Sequence, residues 1–203
     1  MGYVKMRATK KSKVKPSDFE KYKNQFILDV MTISTMEDIP KELIINWDHT
    51  GIIYIPLSSW TMEKEGATQV EVAGINNKRQ LTAIFSNTMT GDFLPPQLIY
   101  AGKTTRCLPK SVTFRKDWHV NFSSNHWANE AATEDYINAI LLPYVAKKKA
   151  ELLLPIDQPA LVIFDRFKAQ CTEKILSLLD KNHIRITIVP AKCTDWPASA
   201  IGY

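Results

Sequence analysis

Ala160-Leu161-Val162-Ile163-Phe164-Asp165 is an apolar run that ends on a carboxylate, with Pro159 just before it. An uninterrupted apolar run of this kind reads as a central strand buried on both faces. Leu43-Ile44-Ile45-Asn46-Trp47-Asp48 has the same shape: mostly apolar until it meets an acid. Two such strands, each delivering an Asp at its C-terminal end, predict an α/β sheet. Ligands gather at that end of open sheets.

The segments around these two runs fill in the sheet. After Asp165, residues 169–181 carry Ile175, Leu176, Leu178 and Leu179 at helical spacing, and Asn182 ends the helix. Ile184–Val189 is another short buried strand, stopped by Pro190. A right-handed crossover puts these two late strands parallel and adjacent. Upstream, Ile52–Ile55 continues the first strand after a turn at Thr50-Gly51, and residues 58–79 read as loop with a short strand near Val70–Ala73. Gln80–Asn87 is a strong strand, Thr90-Gly91-Asp92 a turn, and Phe93–Tyr100 its hairpin partner. Pro95 and Pro96 place that partner at a sheet edge or bulge. Residues 101–132 look irregular, with Trp118 and Trp127 as packing anchors.

Two more helices are expected. Residues 17–36 bring Phe19, Tyr22, Phe26, Ile27, Val30 and Ile33 to one side, with Ser17 as N-cap. Thr133 caps the other, which carries Tyr136, Ile137, Ile140, Leu141, Tyr144 and Val145 on one face. Pro143 kinks it. Lys147–Lys149 at its end suit the helix dipole and read as a solvated cap. The fold class is therefore α/β: a mixed sheet, antiparallel strands then parallel strands, flanked by helices.

The chain has 203 residues and 45% apolar content, which suits one domain with a real core. Its net charge of +5 is unevenly spread. Residues 1–15 hold Lys5, Arg7, Lys10, Lys11, Lys13 and Lys15 and no acid; the rest has 20 basic and 21 acidic side chains. Such an arm pairs with phosphates in a salt-dependent way, or is simply a solvated tail. Three cysteines without CxxC spacing fit a reducing compartment better than a disulfide scaffold. No apolar stretch is long enough for a membrane span, and the start has no secretory signal pattern.

Asp48 and Asp165 are the candidate catalytic and metal-ligating residues. A charge at the end of a buried strand is expensive unless it is paired or binds a cation. Converging carboxylates are hard oxygen ligands and favour Mg²⁺ or Mn²⁺. Two such ions roughly 3.5–4 Å apart can clamp the attacking and leaving oxygens of a phosphodiester displacement. The alternative is that each Asp is a turn or cap residue. His49 either tunes the metal site or has an orienting or solvent-facing role. His119, His126 and Cys107 fit no standard zinc spacing. Cys171 reads as a small core residue. Arg166 and Lys168 beside Asp165 contact phosphate or neutralise the acids.

Asn46-Trp47-Asp48-His49-Thr50-Gly51-Ile52 resembles the first acidic motif of the DDE superfamily endonucleases. The branch it resembles is that of the pogo, Tigger, Jerky and centromere-protein-B-like members of the mariner-type transposases. Ser59–Gly66, Lys78–Thr82, Leu98–Thr104 and Asn125–Glu130 look like the segments that follow, in order. Val162–Gln170 resembles the second acidic motif, and Val189–Asp195 the approach to the third. The resemblance covers roughly residues 1–195. It implies a ribonuclease-H-like fold and metal-dependent DNA strand cleavage and transfer. It matches Asp48 to the first catalytic acid and Asp165 to the second. The third acid is expected at position 201, where the chain has Ile201; Asp195 matches a non-catalytic Asp.

The layout expected from this resemblance has four parts. Residues 1–15 are a basic arm, the junction after a missing helix-turn-helix region. Residues 16–42 are a linker helix, 43–195 the DDE-type nuclease core, incomplete at its C-terminus, and 196–203 a divergent tail. Mg²⁺ or Mn²⁺ is the implied cofactor, held weakly without the third acid. DNA is the implied partner, bound largely without sequence specificity, with room for a homodimer, no membrane, and the nucleus as location. Two other outcomes stay open: a non-catalytic DNA- or chromatin-binding module from a captured transposon, or a decayed element product without function.

Overall fold

The computed structural model describes residues 16–53, 80–124, 127–165 and 171–190. The basic arm, the 58–79 loop with its short strand, His126, Arg166, Lys168 and everything after Pro190, Asp195 and Ile201 included, lie outside the described residues.

The described chain runs α1 (Pro16–Met36), β1 (Ile44–Ile53), β2 (Gln80–Thr88), β3 (Gln97–Ala101) and β4 (His119–Ser123). It continues through α2 (Glu130–Tyr136), α3 (Leu142–Glu151), β5 (Ala160–Asp165), α4 (Glu173–Lys181) and β6 (Ile184–Val189). Six strands form one sheet in the order β4-β3-β2-β1-β5-β6. β1–β2 and β2–β3 are antiparallel; β3–β4, β1–β5 and β5–β6 are parallel. The expected mixed sheet and the parallel, adjacent late strands are both present, but β6 is not a buried strand: it lies at the sheet edge with only Ile184 and Thr187 buried, because no strand covers its far side.

The core follows from the two apolar runs. Ala160 to Phe164 are all buried in β5, and Leu43, Ile45 and Trp47 are buried around β1. Tyr136, Ile137, Ile140, Leu141 and Val145 close over them from the α2–α3 helix, and Ile175 and Leu179 from α4. α1 contributes Phe26, Val30 and Ile33, while Tyr22, expected inward, is largely exposed. The buried pair Ser86 Oγ and Tyr136 Oη, 2.6 Å apart, ties α2 to the sheet. Burial pushes the Tyr136 phenol well above its ordinary range, so it stays neutral.

Several local readings are corrected. Thr50-Gly51 is not a turn: β1 runs on to Ile53, because β2 pairs with it continuously from Ile45↔Thr88 to Ile53↔Gln80. Nine consecutive pairs outweigh the weak propensity of one glycine. Phe93–Tyr100 is not a full hairpin strand; Asn87↔Phe93 is an isolated bridge and β3 starts only after both prolines. β3 is also not an edge, since β4 covers its far side. The stretch thought irregular therefore contains a strand. Trp118 and Trp127 are 37% and 53% exposed, so they do not anchor the packing.

The helix ends differ as well. α1 begins at Pro16, one residue before the expected cap; a proline tolerates the first turn, where its missing N–H leaves no bond unmade. α2 is capped by Asn129, whose side chain accepts from the Ala132 N–H at 2.9 Å, and Thr133 is buried inside the helix. Asn129 wins because an Asx carboxamide reaches the N3 amide as readily as a Thr hydroxyl does. Pro143 falls in the first turn of α3, after a π-turn over Ile137–Leu141. The widened turn gives the proline ring room against the carbonyl four residues back. The lysine run is not uniformly solvated: Lys149 is buried and its Nζ donates to the Ile156 carbonyl at 2.8 Å. Lys148 pairs with Asp92 at 3.0 Å, fastening α3 to the β2–β3 turn.

Candidate active site at the ends of the parallel strands

β1 and β5 run side by side from Ile44↔Leu161 to Trp47↔Phe164, and there their ladder stops. The next residue on each strand is an Asp: Asp48 on β1 and Asp165 on β5. Neighbouring parallel strands lie about 4.8 Å apart, so the backbone brings the two acids alongside one another. The strand order reverses between β1 and β5, because the chain fills one side of β1 first and returns to the other side with β5. Ligand sites in open sheets favour such a switch point, outside the carboxyl ends of the strands.

Both acids also share a face. Asn46 pairs with Ile163, and side chains alternate, so Asp48 and Asp165, two residues on from these, project to the same side. The face also holds Thr50 of β1 and Phe85 of β2, the Cα partner of Asp48. Asp48 is exposed and Asp165 partly buried. Asp48 Oδ1 accepts from the His49 backbone N–H at 2.7 Å. Asp48 is not the last residue of its strand as expected, since β2 carries β1 five residues further. It is the residue at which β1 loses β5.

His49 lies on the opposite face, its ring edge-on to Trp47 at 6.1 Å. It neither faces solvent nor joins the acids. Burial disfavours the imidazolium and lowers the pKa from 6.5 to about 4. A base with a depressed pKa stabilises the fold above its unfolded pKa; that stability is lost as pH falls from 6.5 towards 4. Between pH 7 and pH 5 the loss is expected to be about 2 kcal/mol. Urea melts at both pH values check this against His49→Phe, which cannot titrate. An equal pH dependence in both proteins would contradict it.

The donor set fits a small divalent cation. Mg²⁺ keeps several waters and binds through one or two carboxylates completed by substrate phosphates. Two adjacent Asp side chains, one of them exposed, meet that requirement. Among the described residues no group of three His, Cys, Asp or Glu gathers to form a closed site. Of the three residues weighed for zinc, His126 lies outside the described residues, and His119 Nε2 is 2.6 Å from Asp135 Oδ2, which also accepts from Asn121 Nδ2 at 2.6 Å. That cluster joins β4 to α2, and β4 is three strands from β1. Cys107 and Cys171 are free, and Cys171 packs on the core as expected.

Phe85, the neighbour of Asp48 on this face, is not evident from the sequence as a site residue. The signal for Phe85 was the alternation Leu81, Ala83, Phe85, which places it on the face of Asp48 once the register is known.

No protein-family model and no curated protein matches the chain. Solved structures do. The pre-cleavage Mos1 transpososome aligns with TM-score 0.55 at 12% identity, over 98% of this chain and 53% of that one. The Mos1 transposase paired-end complex with the left transposon end gives 0.51 at 13%, over 96% and 49%. The Mos1 mariner paired end complex with Mn gives 0.50 at 12%, over 95% and 48%. The chain spans about half the length of these solved chains. At such identities the likeness is one of fold: the mixed six-stranded sheet flanked by helices is the ribonuclease-H-like architecture of the Mos1 transposase structures.

Proposed function

We propose that this chain is a transposase-derived DNA-processing domain of the DDE type, from the pogo-like branch of the mariner-type elements. Asp48 and Asp165 would be its metal-ligating acids. The observation that carries the reading is their placement on one face, directly after the last paired residues of adjacent parallel strands at the switch point. The ordered sequence motifs support the branch. A bound Mg²⁺ or Mn²⁺ would supply Lewis-acid activation of water or a 3′-hydroxyl and stabilise a leaving oxyanion. The chain's own part is to hold two oxygen ligands at a fixed spacing on rigid strands, with His49 neutral and turned away.

The Ile201 side chain has no oxygen to offer a metal, so the domain is proposed to be catalytically incomplete. Purified protein with Mg²⁺ or Mn²⁺ is expected to leave supercoiled plasmid un-nicked. Robust nicking that disappears in Asp48→Ala would overturn the incompleteness and keep the site; nicking that survives in Asp48→Ala would overturn the site. The surrounding assignments are proposals of the same kind: DNA as partner, bound without base specificity through Lys5, Arg7, Lys10, Lys11, Lys13 and Lys15, a nuclear location, and a homodimer. Should the domain serve only as a DNA-binding module, its affinity would fall with salt and with deletion of residues 1–15.

A further inference from the structure

The segment between β3 and β4 carries Lys103, Arg106, Lys110, Arg115 and Lys116 against a single acid, Asp117. All five basic side chains are exposed, and among the described residues only Arg115 of the five is in an ion pair, with Asp117 at 2.9 Å. Five exposed cations on one connection are more than solubility asks, and concentrated like charge attracts polyanions.

The fold fixes where this charge lies. Phe114 of the segment packs on Leu81, Ala83 and Leu98, with its ring 6.3 Å from Tyr100. Ala83 pairs with both Thr50 and Leu98, so those residues share a side of the sheet, and Asp48 and Phe85 lie on it too. The basic segment is therefore anchored on the acid-bearing face. It sits two strands from Asp48, roughly 10 Å across the sheet. Its start is held tightly. The Gly102 N–H donates to the Ser123 carbonyl at 2.8 Å. A Cβ on Gly102 would come within 2.3 Å of the Cys107 Cβ, so only glycine lets the chain fold back there.

Phe85 completes the pattern. It is 43% exposed in the interior of β2, whose other described side chains from Leu81 to Thr88 are buried or nearly so. A bare aromatic ring beside an acid, on a sheet face edged with cations, matches the two needs of single-stranded nucleic acid: phosphate neutralisation and base stacking.

We propose that the 103–116 segment and Phe85 form one contact surface for single-stranded DNA. The cations take phosphates, and an unpaired base stacks on Phe85 next to Asp48. This rests on the DNA-processing function proposed for the domain, and names the surface that would deliver DNA to the two acids.

The test uses the full chain in EDTA, so that metal binding plays no part. Binding of a short single-stranded oligonucleotide containing 2-aminopurine is followed by anisotropy and by quenching. Replacing Lys103, Arg106, Lys110 and Lys116 together by Ala is expected to weaken binding at least about tenfold and to flatten the log–log salt dependence by about 3, some 0.7 for each phosphate no longer neutralised. Gly102→Val, which displaces the segment without changing charge, is expected to weaken binding too. Phe85→Leu is expected to abolish quenching and lower affinity about fivefold or more, with rescue by Phe85→Trp. Unchanged affinity and salt slope in the charge variant, or unchanged quenching in Phe85→Leu, would overturn the surface. Its failure is distinguishable from failure of the parent reading. Mn²⁺ binding indifferent to Asp48→Ala and Asp165→Ala would sink the metal site and leave these DNA measurements standing.

Discussion

Trp47→Ala is expected to destabilise the fold by about 3–5 kcal/mol. Trp47 is 1% exposed in the central strand, with its ring 4.9 Å from Tyr136 and 5.8 Å from Phe164. It is thus the residue through which β1, β5 and α2 touch at one point. Truncation removes the largest buried side chain among the described residues and opens a cavity that β-strands on both sides cannot close. Domains of this kind have roughly 5–15 kcal/mol in all, so the variant is expected to melt far earlier in urea or not to fold. Trp47→Phe should be mild by comparison, under about 1.5 kcal/mol. The indole N–H is buried with no hydrogen-bond acceptor among the described residues, and phenylalanine removes that uncompensated donor while keeping most of the ring. A Trp47→Ala protein within about 1 kcal/mol of the parent would contradict the packing account.

The second large effect concerns Mn²⁺ binding, measured by titration calorimetry in the absence of DNA. Asp48→Ala and Asp165→Ala are each expected to lower affinity by at least roughly 10–100-fold, the range that even supporting residues of a metal site command. The double variant should lose little more than either single one, because two ligands of one ion act as a unit. Both side chains lie at the surface or part-way in, so folding should be untouched, and a thermal melt checks that. Additive losses would mean that the acids hold separate ions. Full affinity in Asp48→Ala would remove it from the site.

The strands that face the core on both sides were the most legible parts of the sequence. β5 reads directly, because an unbroken apolar run has few alternatives, and β6 reads from its alternating Ile184, Ile186 and Ile188. What was not legible depended on partners. Gly51 reads as a turn until β2 is known to pair along its whole length. His119–Ser123 has no alternation strong enough to announce a strand; its five-residue pairing with β3 makes it one. Asn129 and Thr133 are equally good caps on paper, and packing of Thr133 into the interior decides between them. The candidate site was half legible. The two Asp residues stood out as acids after apolar runs, but their shared face follows only from the β1–β5 register. The same register turns His49 away from them, and exposes Phe85 as their neighbour.

The unequal ladders on the two sides of β1 have a mechanical consequence. β1 is zipped to β2 by nine residue pairs and to β5 by four. The β5–α4–β6 unit therefore has only a short backbone seam to β1, and is otherwise held by side chains: core packing around Trp47, Arg185 with Glu37, and Lys174 with Glu134. Sub-global opening should start there, so that amide hydrogens of β5 exchange before those in the middle of β2. Asp48 and Asp165 sit on either lip of that seam. An ion held between them would act as a rivet, and its binding energy would appear as slower exchange across the whole late half of the domain.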